Sequence, residues 1–363
     1  MLRRSSRTER ENAMTDLSSL HPKRILVCQQ RQIGDVLLAS PVFELLRRRF
    51  PEAELHLFTE KKCEPLMRNN PYIDAFHLID RKDGFFRQLA FYRKVASLRF
   101  DLVIDLQQLP RCRMMTLMSG APVRLSFPAS VLSRLRYNCL VPMQEGYASQ
   151  TKVSLLAPLG IRWNGEAPII RLTEEERAQA GSILAACGLL PEHRLIAVDS
   201  THRRASKRWP AERFAALMRL LAGEDDAFRF LLLRGPGEEK DIEKLRALAA
   251  SLGVAPEKML VPAPLPDIRL SAACLARADL LIGNCSSPRH MAVALGVPSL
   301  VIPGASGTAW KYPSPLHREL RPDLPCQPCS KTECDDPQCL LRVTPEEALA
   351  AALTLLEDAR KPR

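Results

Sequence analysis

The sequence predicts an α/β protein built as two doubly wound halves facing across a cleft. Three observations carry that expectation. The chain has 363 residues, more than a single hydrophobic core usually serves. Its first half alternates short apolar runs with helical spacing, which is how a parallel sheet covered on both faces is encoded. The same alternation begins again after residue 165.

In the first half, residues 25–28 read as a buried strand. Helical spacing follows through Val36, Leu37, Phe43, Leu45 and Leu46. Residues 54–58 alternate like a strand, and 102–106 form another apolar run. Residues 162–168, with Asn164-Gly165, read as the connector. In the second half, 195–198, 228–233, 280–283 and 299–302 read as strands, with helices over 211–222 and 238–252. Thr344 then caps a last helix, with Pro345 and two glutamates in its first turn. The expected division is a flexible basic leader over 1–22 and two Rossmann-like domains, over 23–165 and over 166–363.

No apolar run approaches the roughly 18–20 residues needed to cross a bilayer. The leader carries Arg3, Arg4, Arg7 and Arg10 without the apolar core of a secretory signal. A cytoplasmic protein is expected, with peripheral attachment to the inner membrane face left open. The net charge of +11 suits an anionic partner. Zinc-finger spacing and RNA-binding signatures are missing, so nucleic acid is not the expected one.

Ligands of open α/β sheets sit beyond the carboxyl ends of strands, so the loops there are the candidates. The first is Gln30-Arg31-Gln32-Ile33-Gly34-Asp35. Gly34 permits a tight turn or a close ligand approach. Asp35 is either a helix cap or a general base taking a proton from a hydroxyl. The second is Ser206-Lys207-Arg208-Trp209-Pro210. Lys207 is either a solvated lysine or a phosphate contact near a helix N-terminus. The third runs from Gly283 to His290. Ser287 is expected to cap a helix with Pro288 at its first position, ended by Gly296-Val297-Pro298. That helix is either structural or a diphosphate site, with Ser286 and Ser287 supplying N–H groups and Arg289 or His290 adding charge. Dinucleotide and P-loop fingerprints are missing.

Seven of the eleven cysteines are dispersed and read as core residues. The other four, Cys326, Cys329, Cys334 and Cys339, lie in a Pro-rich loop. Their spacing leaves two readings open, a structural zinc or iron site or unliganded thiols.

Taken together, these pieces resemble glycosyltransferase family 9, the ADP-heptose:lipopolysaccharide heptosyltransferases. The resemblance covers about Lys23 to Leu356. It rests on Arg31-Gln32-Ile33-Gly34-Asp35-Val36-Leu37-Leu38 with Ser40-Pro41, and on Asn70-Pro71-Tyr72-Ile73-Asp74. It continues with Lys207-Arg208-Trp209-Pro210, Gly235-Pro236-Gly237-Glu238 and Ala278-Asp279-Leu280-Leu281-Ile282-Gly283, and ends on the run from Pro288 to Pro298. It implies a GT-B fold, with an acceptor-side domain over 23–165 and a nucleotide-sugar-binding domain over 166–363, and an inverting transfer from a nucleotide-sugar, ADP-heptose by analogy, to a lipopolysaccharide-core or other glycan acceptor. It implies no catalytic metal. By the same analogy Asp35 is the base, Lys207 contacts the donor phosphates, Glu238 contacts the nucleoside, and Ser286, Ser287 and His290 complete the donor site. The sequence departs from the family where Asp-Thr-Gly is usual, placing Cys285, Ser286 and Ser287 there. The alternative is therefore a non-catalytic nucleotide-sugar-binding homologue; a metal-dependent interaction module built on the cysteine loop is a third reading.

Overall fold

The computed structural model describes residues 16–129, 133–265 and 267–360. The chain divides into two compact units at Glu166–Ala167, inside the expected connector.

The first unit runs β1 (Arg24–Cys28), α1 (Ile33–Leu37), α2 (Ser40–Arg49), β2 (Glu54–Glu60), β3 (Ala75–Ile79), α3 (Phe85–Ala96), β4 (Leu102–Asp105), α4 (Pro110–Ser119), β5 (Val123–Ser126), α5 (Ser133–Arg136), β6 (Cys139–Leu140) and α6 (Ala148–Ser154). The second runs α7 (Glu174–Ala186), β7 (Arg194–Asp199), α8 (Ala211–Glu224), β8 (Phe228–Leu232), α9 (Glu239–Ser251), β9 (Met259–Leu260), α10 (Ile268–Leu275), β10 (Leu280–Asn284), α11 (Ser287–Leu295), β11 (Ser299–Ile302), β12 (His317–Glu319), α12 (Gln338–Leu341) and α13 (Pro345–Asp358).

Each unit holds one six-stranded sheet, ordered β3-β2-β1-β4-β5-β6 in the first and β12-β11-β10-β7-β8-β9 in the second. Every neighbouring pair is parallel. Both orders are the doubly wound one, in which the chain starts at the centre, grows to one edge, then returns and grows to the other. The strand order therefore reverses between β1 and β4, and again between β7 and β10. At such switch points the loops leave to opposite faces and open a crevice.

Alternation along β1 explains how the first sheet is covered. Ile25 and Val27 join the core under α1, α2 and α6, with Val36, Phe43, Leu46 and Val153. Leu26 and Cys28 join the opposite core under α3 and α4, with Tyr92, Val95, Cys112 and Met115. In the second sheet Ile196, Val198, Ile282 and Ile302 pack with Trp209, Phe214, Leu245 and Leu355 from α8, α9, α13 and the loop before α8. Thr344 caps α13 as expected, its side chain accepting the Glu347 N–H at 3.2 Å.

Two expectations need correcting. The helical pattern from Val36 to Leu46 is two helices, because the chain turns at Leu38–Ala39 before Ser40-Pro41 starts α2. The expected leader is not loose over its last residues. Leu17 and Leu20 pack on the first core, and the Leu17 N–H donates to the Pro158 carbonyl at 2.9 Å. The rest of the leader lies outside the described residues. Among those described, no helix is long and apolar enough to cross a membrane.

Candidate active site

Asp35 stands at the first switch point, in the opening turn of α1. One carboxylate oxygen accepts the Gln32 N–H at 3.0 Å, closing a capping box. It is half-buried. Gly34 is buried inside the same turn and takes no left-handed backbone angle, so the expected tight turn is not its role.

Side chains distant in sequence hold the segment before α1. Gln107, just after β4, accepts the Gln30 N–H at 3.0 Å and donates to the Arg31 carbonyl at 2.6 Å. Asp105, at the end of β4, accepts the Gln107 and Gln108 N–H groups and the Tyr137 hydroxyl. Lys152 of α6 donates to Gln29 Oε1 at 2.9 Å. Burial lowers the Lys152 pKa, and the negative charge of Asp35 opposes that shift, which brings Lys152 within electrostatic reach of the carboxylate. Sequence reasoning missed Gln107 and Lys152.

At the second switch point, the loop from β7 to α8 carries Lys207, partly buried at the end of a short 3₁₀ turn. Burial lowers its pKa; Cys285 acts the other way and Arg204 adds to the lowering. The loop is locked from several sides. Asn284 Oδ1 accepts the Trp209 N–H at 2.9 Å, while its amide donates to the Asp199 and Thr201 carbonyls at 3.3 Å. Asn284 is thus engaged with backbone through both its amide oxygen and its amide nitrogen. Arg208 turns back onto the His202 carbonyl and Asp241.

Glu238 precedes α9, and its Oε2 accepts both the Gly235 N–H and the Thr201 hydroxyl at 2.7 Å. Thr201 lies two residues beyond β7, in the loop that carries Lys207, so the Glu238 and Lys207 loops meet there.

Helix α11 starts one residue earlier than expected. Ser286 occupies the N-cap position, Ser287 is the first helical residue, and Pro288 follows it. The Ser286 side chain makes no capping bond; its hydroxyl donates to Asp199 Oδ2 instead. The first-turn N–H groups of α11 are left without a capping side chain. Gly296 ends the helix at φ 72°, in the left-handed region.

Asp199 is a buried carboxyl the sequence did not advertise. It is 4% exposed. Burial raises its pKa to about 7, Ser286 opposing and Glu238 adding to the rise. It pairs in register with Gly283 of β10. A Cβ at position 283 would lie 2.6 Å from that of Asp199, so glycine there makes room for it.

The expected charges beyond Ser287 are not offered to a ligand. Arg289 is 3% exposed and pairs with Glu319 of β12 at 2.7 Å, and it also donates to the Cys285 sulfur. Burial holds the His290 pKa down to about 3, with Arg289 adding to the effect, so the ring is neutral. His290 packs against Trp310, and its Nδ1 is buried without a hydrogen-bond partner among the described residues.

The model for "Glycosyltransferase family 9 (heptosyltransferase)" matches residues 88–339, well over half of the sequence. The chain belongs to glycosyltransferase family 9. It is 24% identical over 283 residues to lipopolysaccharide heptosyltransferase 3 of Escherichia coli, covering 75% of this chain and 81% of that protein. Among solved structures it resembles a family 9 glycosyl transferase from Veillonella parvula, with a TM-score of 0.77 at 24% identity over 95% of this chain and 98% of that one. It also resembles TibC, an iron-containing dodecameric glycosyltransferase of enterotoxigenic Escherichia coli, with a TM-score of 0.55 at 13% identity over 96% and 78% of the two chains. The fold is accordingly GT-B, two Rossmann-like units, and the chain is a glycosyltransferase of the heptosyltransferase family.

This family 9 chain does not gather its four clustered cysteines into a metal site. Among the described residues, no three His, Cys, Asp or Glu side chains are placed to hold an ion. Cys326 and Cys334 are exposed, Cys329 is half-buried and Cys339 is buried at α12. Of the two readings left open, a tetrahedral set is not assembled among the described residues, although Cys329, Cys334 and Cys326 all lie within electrostatic reach of Cys339. That loop has a structural partner instead. Ser206 donates to the Lys331 and Thr332 carbonyls at 2.7 and 3.0 Å, so the cysteine loop buttresses the backbone beside Lys207.

Proposed function

We propose that the enzyme moves heptose or a related sugar, from ADP-heptose or a similar nucleotide-sugar, to a hydroxyl of the lipopolysaccharide core or another envelope glycan, with inversion. One observation carries the reading. Both switch points bear the groups such a transfer needs, an anionic base at one and a cation with uncapped helix amides at the other.

Asp35 serves as general base. Its Oδ2 is engaged by the Gln32 N–H, which leaves Oδ1 to take the acceptor proton as the oxygen attacks the anomeric carbon. The bond from that carbon to the diphosphate breaks as the new glycosidic bond forms on the opposite face. Charge builds on the departing diphosphate, where the Lys207 ammonium and the N–H groups at the start of α11 stabilise it. Glu238 contacts the ribose through the carboxylate oxygen not engaged by Gly235 and Thr201. The His290 Nδ1, buried and unpartnered, is a further donor-side contact. Charge on the leaving group is met by protein groups, so this reading includes no metal.

The experiment is a transfer assay with ADP-heptose and a heptose-acceptor core, run on wild type and Asp35→Ala. Transfer lost in the variant, with ADP affinity kept, supports the assignment. Full activity in the variant refutes the base.

A second reading, a non-catalytic homologue that binds nucleotide-sugars, is favoured by one observation. Cys285 sits where the family carries a carboxylate and is bonded to Arg289. Turnover of any nucleotide-sugar onto a core acceptor eliminates it.

A further inference from the structure

Helices α3 and α4 cover one face of the first sheet with Tyr92, Val95, Cys112 and Met115 turned inward. Their outward side mixes apolar and basic residues and is not balanced in charge. Among the described residues, the three most exposed large apolar side chains are Phe86 (83%), Leu135 (75%) and Phe85 (72%). All three lie on α3 or on α5, which packs beside α4. Exposed Met114 and Leu117 lie on α4 itself. Phe85 and Phe86 pack edge to face on each other and stand clear of the core. Basic residues stand next to Phe86, Met114 and Leu135 in the chain. Helix α3 carries Arg87, Arg93 and Lys94, α4 carries Arg111 and Arg113, and neither contains Asp or Glu. Leu135 lies between two arginines. Asp80 and Asp83 occupy the turn before α3, where the Asp80 carboxylate is held by the Lys82 N–H.

Scattered surface apolar residues need no explanation. Aromatic side chains beside cations, on helices free of carboxylates, are what an interfacial helix shows: rings for the acyl boundary and cations for anionic head groups. A second copy of this chain would meet like charge on such a face. Position also matters. Phe85 opens α3 after the carboxyl end of β3, and Asp35 follows the carboxyl end of β1 in the same parallel sheet. Rings and proposed base lie at one end of the first unit.

We propose that the α3–α4–α5 face docks the enzyme on an anionic phospholipid surface, with Phe85 and Phe86 inserted, and so presents Asp35 to acceptors held in that membrane. The docking rests on surface chemistry alone; only the presentation of an acceptor rests on the transferase reading.

The test is sedimentation of the full chain with vesicles of phosphatidylcholine, with and without phosphatidylglycerol. Wild type is expected to bind the anionic vesicles, not the neutral ones, and to lose binding as salt rises. Phe85→Ser/Phe86→Ser should weaken binding by about tenfold or more, and Arg87→Glu/Lys94→Glu comparably. Leu190→Ser, which removes an exposed apolar side chain of the second unit, should change nothing. ADP-induced thermal stabilisation checks that each variant is folded and keeps its donor site. No binding by wild type, equal binding to neutral vesicles, or full binding by folded variants overturns the proposal. Sedimentation velocity showing that wild type self-associates through this face, and that the serine variant does not, also overturns it.

Discussion

The two switch points share one topology and arrange their charges in opposite ways. At the first, Asp35 keeps its carboxylate half-exposed, while the long-range bonds go to the backbone before it: Gln107 on Gln30 and Arg31, Lys152 on Gln29. At the second, the carboxyl of Asp199 is buried under Ser286, and a cation, Lys207, is left partly open. Identical strand order thus fixes where a ligand can sit, and a few side chains at the strand ends fix its sign. An anion suits a proton to be removed, and a cation with uncapped helix amides suits a departing diphosphate.

The largest expected effect breaks the first side of this comparison. Asp35→Asn should lower kcat by about 10²–10⁴ and leave the dissociation constant for ADP within about twofold. Steady-state kinetics and calorimetry check both.

Asp199 separates the two sides by pH. Its folded pKa is raised from 3.8 to about 7, so between these values the folded state holds a proton that the unfolded state releases. Its contribution to stability is complete below about pH 4 and disappears as pH rises through about 7, a change on the order of a few kcal/mol. Asp199→Asn should flatten that decline, melting above wild type at pH 8 and with it near pH 4. Parallel melting curves across this range would contradict the buried carboxyl.

Smaller effects sharpen the donor side. Lys207→Ala should weaken ADP binding by about 10- to 100-fold, measured by titration calorimetry. Gly283→Ala, which forces a Cβ against Asp199, should cost about 1–3 kcal/mol in denaturant unfolding.

The central strands were legible because burial on both faces makes them continuous apolar runs, as in Leu102–Asp105 and Ser299–Ile302. Strands β3, β5, β6, β9 and β12 were not. They lie at or beside sheet edges, run to five residues at most, and include polar positions such as His77, Arg124 and Arg318. Their strand character comes from pairing rather than from local pattern. Asp35, Lys207 and the α11 loop could be placed because each follows a recognisable strand, whereas Glu238 was reached only through the family resemblance. Asp199 could not, since a residue ending a strand carries no sign of burial; only its register with Gly283 and the bond from Ser286 reveal it. Nor did Arg289 announce that Glu319, thirty residues later and three strands away from β7, would neutralise it.

The central claim, that the two switch points divide base from donor, is tested most directly by one paired measurement. ADP affinity and transfer rate are determined together for Asp35→Asn and Lys207→Ala. The account predicts that the first variant binds ADP like wild type but transfers about 10²–10⁴-fold more slowly, and that the second binds ADP weakly. Loss of ADP affinity in Asp35→Asn, or wild-type affinity in Lys207→Ala, would contradict it.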